Sequence, residues 1–183
     1  MNQANPLDIE VCPATQEERP IFRRLMELYQ YDFSEFDGAD IGPMGLYDYP
    51  YLDHYWVEPG RSPFLVRVGG ELAGFAMVSR YNYRTGLNDG WVMAEFFVMR
   101  KYRHLGVGEH VACWLFDHHP GAWQVSQITE NQAAVTFWRK VIARYTQGNF
   151  EEFLLDNKHW HGPVQAFIAT SHAAEADDGK IGA

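Results

Sequence analysis

Residues 96–110 read FFVMRKYRHLGVGEH: an apolar run gives way to Arg100, Lys101, Arg103 and His104, and then to Gly106 and Gly108. If a strand ends near Met99 and a helix begins near Gly106, the helix start presents unpaired N–H groups and a partial positive charge. Glycines at that point let a ligand approach the backbone with no Cβ in the way. A phosphate or diphosphate suits such a place. The chain has no GxxxxGK[ST] loop, and GVGEHV lacks the third glycine of a dinucleotide fingerprint. What remains is RxxGxG after a long strand, written here as RHLGVG. A tight strand–helix turn with solvated basic residues accounts for the same letters, so both readings stand at this point.

Glu95 is the one carboxylate in the apolar run WVMAEFFVM. Apolar neighbours raise a carboxyl pKa, which suits a base that must take a proton near neutral pH. The competing reading is a strand glutamate facing solvent or paired with an arginine. Cys113, in HVACWLF, reads as a packed thiol rather than a nucleophile. His159 and His161 share one face of a strand but have no third ligand in the sequence around them, so no metal site is expected.

Between Leu25 and Gly60 there is no Lys or Arg, while Asp32, Glu35, Asp37, Asp40, Asp48, Asp53 and Glu58 are interleaved with Tyr29, Tyr31, Phe33, Phe36, Tyr47, Tyr49, Tyr51, Tyr55 and Trp56. Acidic and aromatic residues together favour a cationic amine by Coulomb and cation–π attraction. A solvated loop, or a dimer contact built on the aromatics, fits the same composition.

The elements that must position these residues can be read from periodicity. DIEVCPA (8–14) alternates as a first strand. TQEERPIFRRLMELYQYDF reads as a helix, with Thr15 as N-cap, Glu18 completing a capping box and Pro20 in the first turn. Residues 33–60 are punctuated by glycine and proline and read as irregular. Two β-rich runs flank Gly69-Gly70, a hairpin signal. WVMAEFFVM is a long strand whose nearly continuous apolar character predicts burial on both faces. A helix follows the glycines and stops at Pro120. AWQVSQIT is a short strand, and ENQAAVTFWRKVIARY a helix with Ala134, Phe137, Trp138, Val141 and Ile142 as its apolar face. FEEFLL and PVQAFIAT close the chain as strands. The order β-α-loop-β-β-β-α-β-α-β-β makes a mixed α/β domain over residues 1–170, followed by a polar tail, 171–183, expected to be disordered.

At 183 residues the chain can bury one sizeable core, and its 46% hydrophobic and 21% charged residues are those of a globular protein. A net charge of −9 argues against nucleic acid as a partner. Cys12 and Cys113 form no CxxC pair, so a reducing, cytoplasmic setting is expected. The first residues form no signal peptide, and no apolar run approaches the roughly 20 residues of a membrane span.

AEFFVMRKYRHLGVGEHV resembles the acetyl-CoA-binding core of the GNAT N-acetyltransferase superfamily, and ENQAAVTFWRK resembles the segment that closes the cofactor cleft in that family. The element order agrees over about residues 8–170. The resemblance implies a GNAT acyltransferase fold, a mostly antiparallel central sheet with splayed strands flanked by helices. It implies acetyl-CoA as co-substrate and a primary-amine acceptor, small molecule or peptide, acetylated by direct transfer. It assigns the diphosphate loop to Arg103, His104, Leu105, Gly106, Val107 and Gly108, and pantetheine contacts to the backbone of Phe97, Val98 and Met99. It assigns a cofactor contact to Asn131, and the wall at the thioester end to Phe137 and Trp138. Glu95 matches an acidic position that acts in some members. Trp138 stands where the family often has a tyrosine acid, so Tyr145 or solvent is expected to protonate the thiolate. A catalytically silent acetyl-CoA-binding domain is the alternative, a different acyl group a third reading, and a homodimer an expectation left open.

Overall fold

The computed structural model describes residues 7–170, so the expected tail at 171–183 lies outside the described residues. Among the described residues, seven strands form one sheet in the order β1-β2-β3-β4-β5-β7-β6, with three α-helices. The strands are β1 (Ile9–Pro13), β2 (Arg61–Val68), β3 (Glu71–Arg80), β4 (Trp91–Val98), β5 (Gly121–Ser126), β6 (Glu151–Asp156) and β7 (His161–Ala169). The helices are α1 (Arg19–Asp37), α2 (Val107–His118) and α3 (Gln132–Tyr145). β4 and β5 are paired parallel, while β1–β2, β2–β3, β5–β7 and β6–β7 run antiparallel. The mixed α/β class and the element order are those the sequence predicts. The chain divides into two compact units, residues up to Arg80 with Met93–Gly108, and Tyr81–Val92 with Glu109 onward.

In the first unit, Gly69 and Gly70 have φ of 58° and 80° and join β2 to β3 by the two-residue turn that their flanking runs predict. The β2–β3 register then shifts between Val66 and Arg67, with Val66 opposite Gly74 and Arg67 opposite Leu72. Gly74 lies so close to β4 that a Cβ on it would stand 2.0 Å from the Phe97 carbonyl oxygen. Against this sheet α1 packs Phe22, Leu25 and Met26, which join Leu65, Phe75, Met77 and Phe97 in one apolar cluster.

α1 differs from the sequence reading at both ends. Thr15 is not the N-cap: the helix starts at Arg19 with Glu18 as cap, because residues 15–18 form a preceding turn. The Glu18 carboxylate does turn back to Thr15, accepting its N–H at 3.0 Å, so the capping-box residues meet one turn early. At the other end the helix runs on to Asp37. It stops where Gly38 takes φ 68° and donates its N–H to Ser34 O. Part of the segment expected to be irregular is therefore helical, and a 3-10 turn over Leu52–Trp56 orders more of it. Trp56 pins that turn by donating its indole N–H to Ala14 O at 2.9 Å.

In the second unit, Phe116 of α2 meets Trp123 and Phe167 at 4.9 Å and Tyr145 at 5.1 Å. α3 buries Val135, Trp138, Val141 and Ile142. Val135 replaces the expected Ala134, and Phe137 is only half-buried. On β4, burial is complete at Val92, Met93 and Phe97, and Ala94, Glu95 and Phe96 are part-exposed. The middle of the strand is thus covered less completely than the sequence predicts, although the Glu95 carboxyl itself is desolvated.

Candidate active site

Glu95 projects from β4 to meet two phenols. Tyr29, on α1, donates its hydroxyl to Glu95 Oε2 at 2.6 Å, and Tyr49, on the loop after α1, donates to Oε1 at 2.8 Å. Each carboxylate oxygen therefore holds one neutral donor. The Tyr29 ring is fixed by Phe75 and Phe97, at 5.6 and 5.9 Å. Burial pushes the Glu95 carboxyl above the usual carboxylate range, and the two tyrosine hydrogen bonds only partly offset it. Burial likewise raises Tyr29 and Tyr49, helped by the carboxylate beside them, so both phenols stay protonated donors. Tyr55 from the 3-10 turn is pushed up to about 12, chiefly by burial and then by Glu95.

After β4, residues 100–102 make a short 3-10 turn and α2 opens at Val107. His104 has φ 63° and Gly106 φ 83°. A Cβ on Gly106 would meet no atom within 4 Å, so the space beside it is open, while Val107 is fully buried and anchors the helix. Residues 103–106 are exposed and run into a helix start, the kind of place that suits a diphosphate group.

The basic residues of this turn are engaged differently from a simple positive field. Arg100 donates to Asp32 Oδ1 at 2.7 Å, and Arg103 donates to Asp32 Oδ2 and, through Nε, to Val98 O at 2.8 Å. Burial works against the Asp32 charge, but hydrogen bonds from Arg103 and Arg100 outweigh it and hold the carboxyl below its usual range. The stability it supplies is then present above the unfolded-state pKa and lost as pH falls through the lower folded value. Asp32→Asn is expected to cost about 1–3 kcal/mol at neutral pH, and the deficit should close at an acid pH below the ordinary aspartate range, where the wild-type carboxyl also protonates. Denaturant unfolding at the two pH values reads this; equal stability at neutral pH would remove Asp32 as the clamp.

At the end of β4, Met99 N–H donates to Ala73 O at 2.8 Å and Val98 O is taken by Arg103. Two backbone groups of the Phe97–Met99 segment therefore have partners inside the unit. Phe97 itself is buried in the apolar cluster.

A GNAT acetyltransferase family model matches residues 22–142, a span that includes Glu95, the RHLGVG turn and most of α3. The chain belongs to the GNAT acetyltransferase family. Its fold is shared by an acetyltransferase from Thermus thermophilus, at 16% identity and TM-score 0.65 over 90% of this chain and 99% of that one. It is shared also by the spermidine N-acetyltransferase from Vibrio cholerae, solved with CoA and spermine (11%, TM-score 0.59, 88% and 95%). A third is the ribosomal-protein-S18-alanine N-acetyltransferase from Escherichia coli (13%, TM-score 0.58, 92% and 97%). No curated protein matches the chain.

The other residues matched to GNAT positions lie in the second unit. Asn131 is the N-cap of α3, its side-chain oxygen accepting Ala134 N–H at 2.9 Å. Phe137 and Trp138 meet edge to face at 5.0 Å, with Trp138 buried. Tyr145 donates its hydroxyl to Asp117 Oδ1 at 2.8 Å. Burial and then that carboxylate push its pKa up, which makes Tyr145 a poorer acid than a free phenol. Burial raises the Cys113 thiol to about 11, keeping it protonated. His159 meets Tyr81 and His161 meets Asp156, and no group of three metal-ligating side chains occurs among the described residues.

Sequence reasoning did not pair Tyr29 and Tyr49 with Glu95, nor Asp32 with the two arginines. All three residues stand in the acidic aromatic segment, yet nothing in their spacing marks a partner 46–71 residues away. The helical spacing of Tyr29 and Asp32, which places them on one face of α1, is the signal that was there to use.

Proposed function

We propose that this protein is an N-acetyltransferase that takes an acetyl group from acetyl-CoA to a primary amine, cationic and either a small molecule or a peptide terminus. The observation that carries the reading is Glu95: a carboxylate with a raised pKa, held at both oxygens by phenols, on the strand that leads into the RHLGVG turn. Bound acetyl-CoA supplies an activated thioester. Arg103, His104, Leu105, Gly106, Val107 and Gly108 would hold its diphosphate through the backbone of the exposed turn and the α2 start, with Phe97, Val98 and Met99 toward the pantetheine.

Glu95 takes the proton that the amine must lose before it becomes a nucleophile. Its raised pKa brings it nearer neutrality than an ordinary glutamate, so it both accepts that proton and releases it between turnovers. Asp32, Asp53 and Glu58 are compensated by ion pairs, so Glu35, Asp37, Asp40 and Asp48 are the acidic residues that would draw a cationic acceptor toward this carboxylate. Tyr145, tied to Asp117 and poorly acidic, leaves solvent as the proton source for the departing thiolate.

CoA release from acetyl-CoA, followed with a panel of cationic diamines, peptides with free N-termini and neutral arylamines, tests the reading. Turnover is expected with the cations, at least tenfold faster in kcat/KM than with the neutral amines. Tight acetyl-CoA binding without turnover on any amine would instead support the silent domain, which Trp138 in the tyrosine position favours.

A further inference from the structure

The two phenols on Glu95 are unequal. Tyr29 belongs to the middle of a 19-residue helix, with its ring against Phe33, Phe75 and Phe97. Tyr49 belongs to the connection between Gly38, which ends α1, and the 3-10 turn at Leu52. That connection contains Gly42, Pro43, Gly45 and Pro50, and Tyr49 lies between exposed Asp48 and exposed Pro50. Its upstream anchor is Tyr47, whose N–H donates to Glu27 Oε2 at 2.9 Å and whose hydroxyl meets Ser34 Oγ at 3.4 Å.

Each oxygen of Glu95 already holds an O–H donor, and although a carboxylate oxygen can accept a second hydrogen bond, an amine takes the position now filled on Oε1 or Oε2 only if that donor yields. Moving Tyr29 would break the aromatic packing beneath α1. Moving Tyr49 requires a change in a glycine-punctuated loop, the kind of segment that carries such motions.

We propose that Tyr49 is a specificity-determining gate: its hydroxyl occupies the place on Glu95 Oε1 that the acceptor's protonated amine takes over. This rests on Glu95 being the base. Exchange of a neutral O–H donor for a neutral N–H donor gains little, whereas an ammonium brings a charge-assisted hydrogen bond about twice as strong. The gate therefore admits amines that arrive protonated. In the step that follows, one ammonium N–H bond breaks and its electron pair stays on nitrogen. The proton forms an O–H bond on Glu95, so an ammonium and a carboxylate become a neutral amine and a carboxylic acid.

The groups that bear on this pair from each neighbouring element are Tyr29 and Asp37 of α1, Tyr55 of the 3-10 turn and Arg61 of β2. Arg61 is the one cation among them. It is engaged by Glu58 at 2.6 Å and its guanidinium carbon is 5.2 Å from the Tyr55 ring centroid.

The test compares wild type with Tyr49→Phe and Tyr29→Phe, using 1,4-diaminobutane as probe in the CoA-release assay and in calorimetry on the free protein. Tyr49→Phe removes the hydrogen bond that the amine must displace. It is expected to lower KM and the calorimetric Kd for the diamine about five- to tenfold and to move the acid limb of kcat/KM to higher pH, since the carboxylate loses a donor. Tyr29→Phe should move the same limb without tightening the diamine. Weaker or unchanged diamine binding in Tyr49→Phe overturns the gate, as does absence of diamine binding to both proteins. Failure of the base reading shows separately, as Glu95→Gln turning over at the wild-type rate, while the calorimetric comparison still decides whether Tyr49 competes with the amine.

Discussion

Glu95→Gln lowers kcat/KM for a cationic amine by about 10²–10⁴ at neutral pH and abolishes the acid limb of its pH profile. The carboxyl is raised by burial, so the wild-type base form prevails only above that raised value, and activity falls as pH drops through it. The limb should therefore lie above the ordinary glutamate value of about 4.3. Linkage gives the stability consequence the opposite sign. A carboxyl raised in the folded state binds its proton more tightly there than in the unfolded chain. Its contribution is complete below the unfolded pKa and is lost as pH rises through the folded one. The neutral amide escapes that loss, so Glu95→Gln should be the more stable protein at pH ~8 and lose its advantage on acidification below the ordinary carboxylate range. Activity that falls while stability rises separates a base from a structural carboxylate. An unchanged kcat/KM across the pH range would remove Glu95 from the chemistry.

Gly74→Ala is the second large effect. The added Cβ would stand 2.0 Å from the Phe97 oxygen, 3.0 Å from its carbonyl carbon and 3.1 Å from Val98 Cα. All three are backbone atoms, so no side-chain rotation relieves the clash. β4 must shift, and with it the strand that carries Glu95 and the Val98 carbonyl that holds Arg103. A loss of at least about 3 kcal/mol is expected, a fall in Tm of roughly 6–12 °C for a chain of this size. CoA release should drop further than the folded fraction does. An unaltered Tm would mean that β3 and β4 are spaced more widely at this point than the structure has them.

Local signals carried much of the fold. Gly69-Gly70 marked its hairpin because the two-residue turn requires positive φ at both positions, and those residues are local to the strands they join. RHLGVG marked the turn into α2 for the same reason: its chemistry is contained in six consecutive residues. Boundaries that depend on competition were harder. Thr15 and Glu18 have the letters of a helix cap, but the preceding turn takes them, and α1 runs past Phe33 until Gly38 stops it. The phase of α3 slipped by one residue at Ala134 because its run is apolar at neighbouring positions, and periodicity then fixes the face poorly. Within the candidate site, Glu95 stood out as a carboxylate among apolar residues. Its donors did not, since Tyr29 and Tyr49 come from distant chain segments, and a tyrosine in an aromatic-rich stretch carries no label for the acid it will meet.

The placement of Tyr29 and Asp32 on one face of α1 has a bearing on how this chain can diversify. A single segment supplies one of the two donors on the carboxylate and the whole hold on the two arginines. Recombination that brings in a relative's α1 would change the donor on Glu95 and the anchor of Arg100 and Arg103 in one event. Drift in the loop around Tyr49 would leave the hold on the arginines in place and, on the proposed gate, alter the titration of the carboxylate together with which amines are admitted.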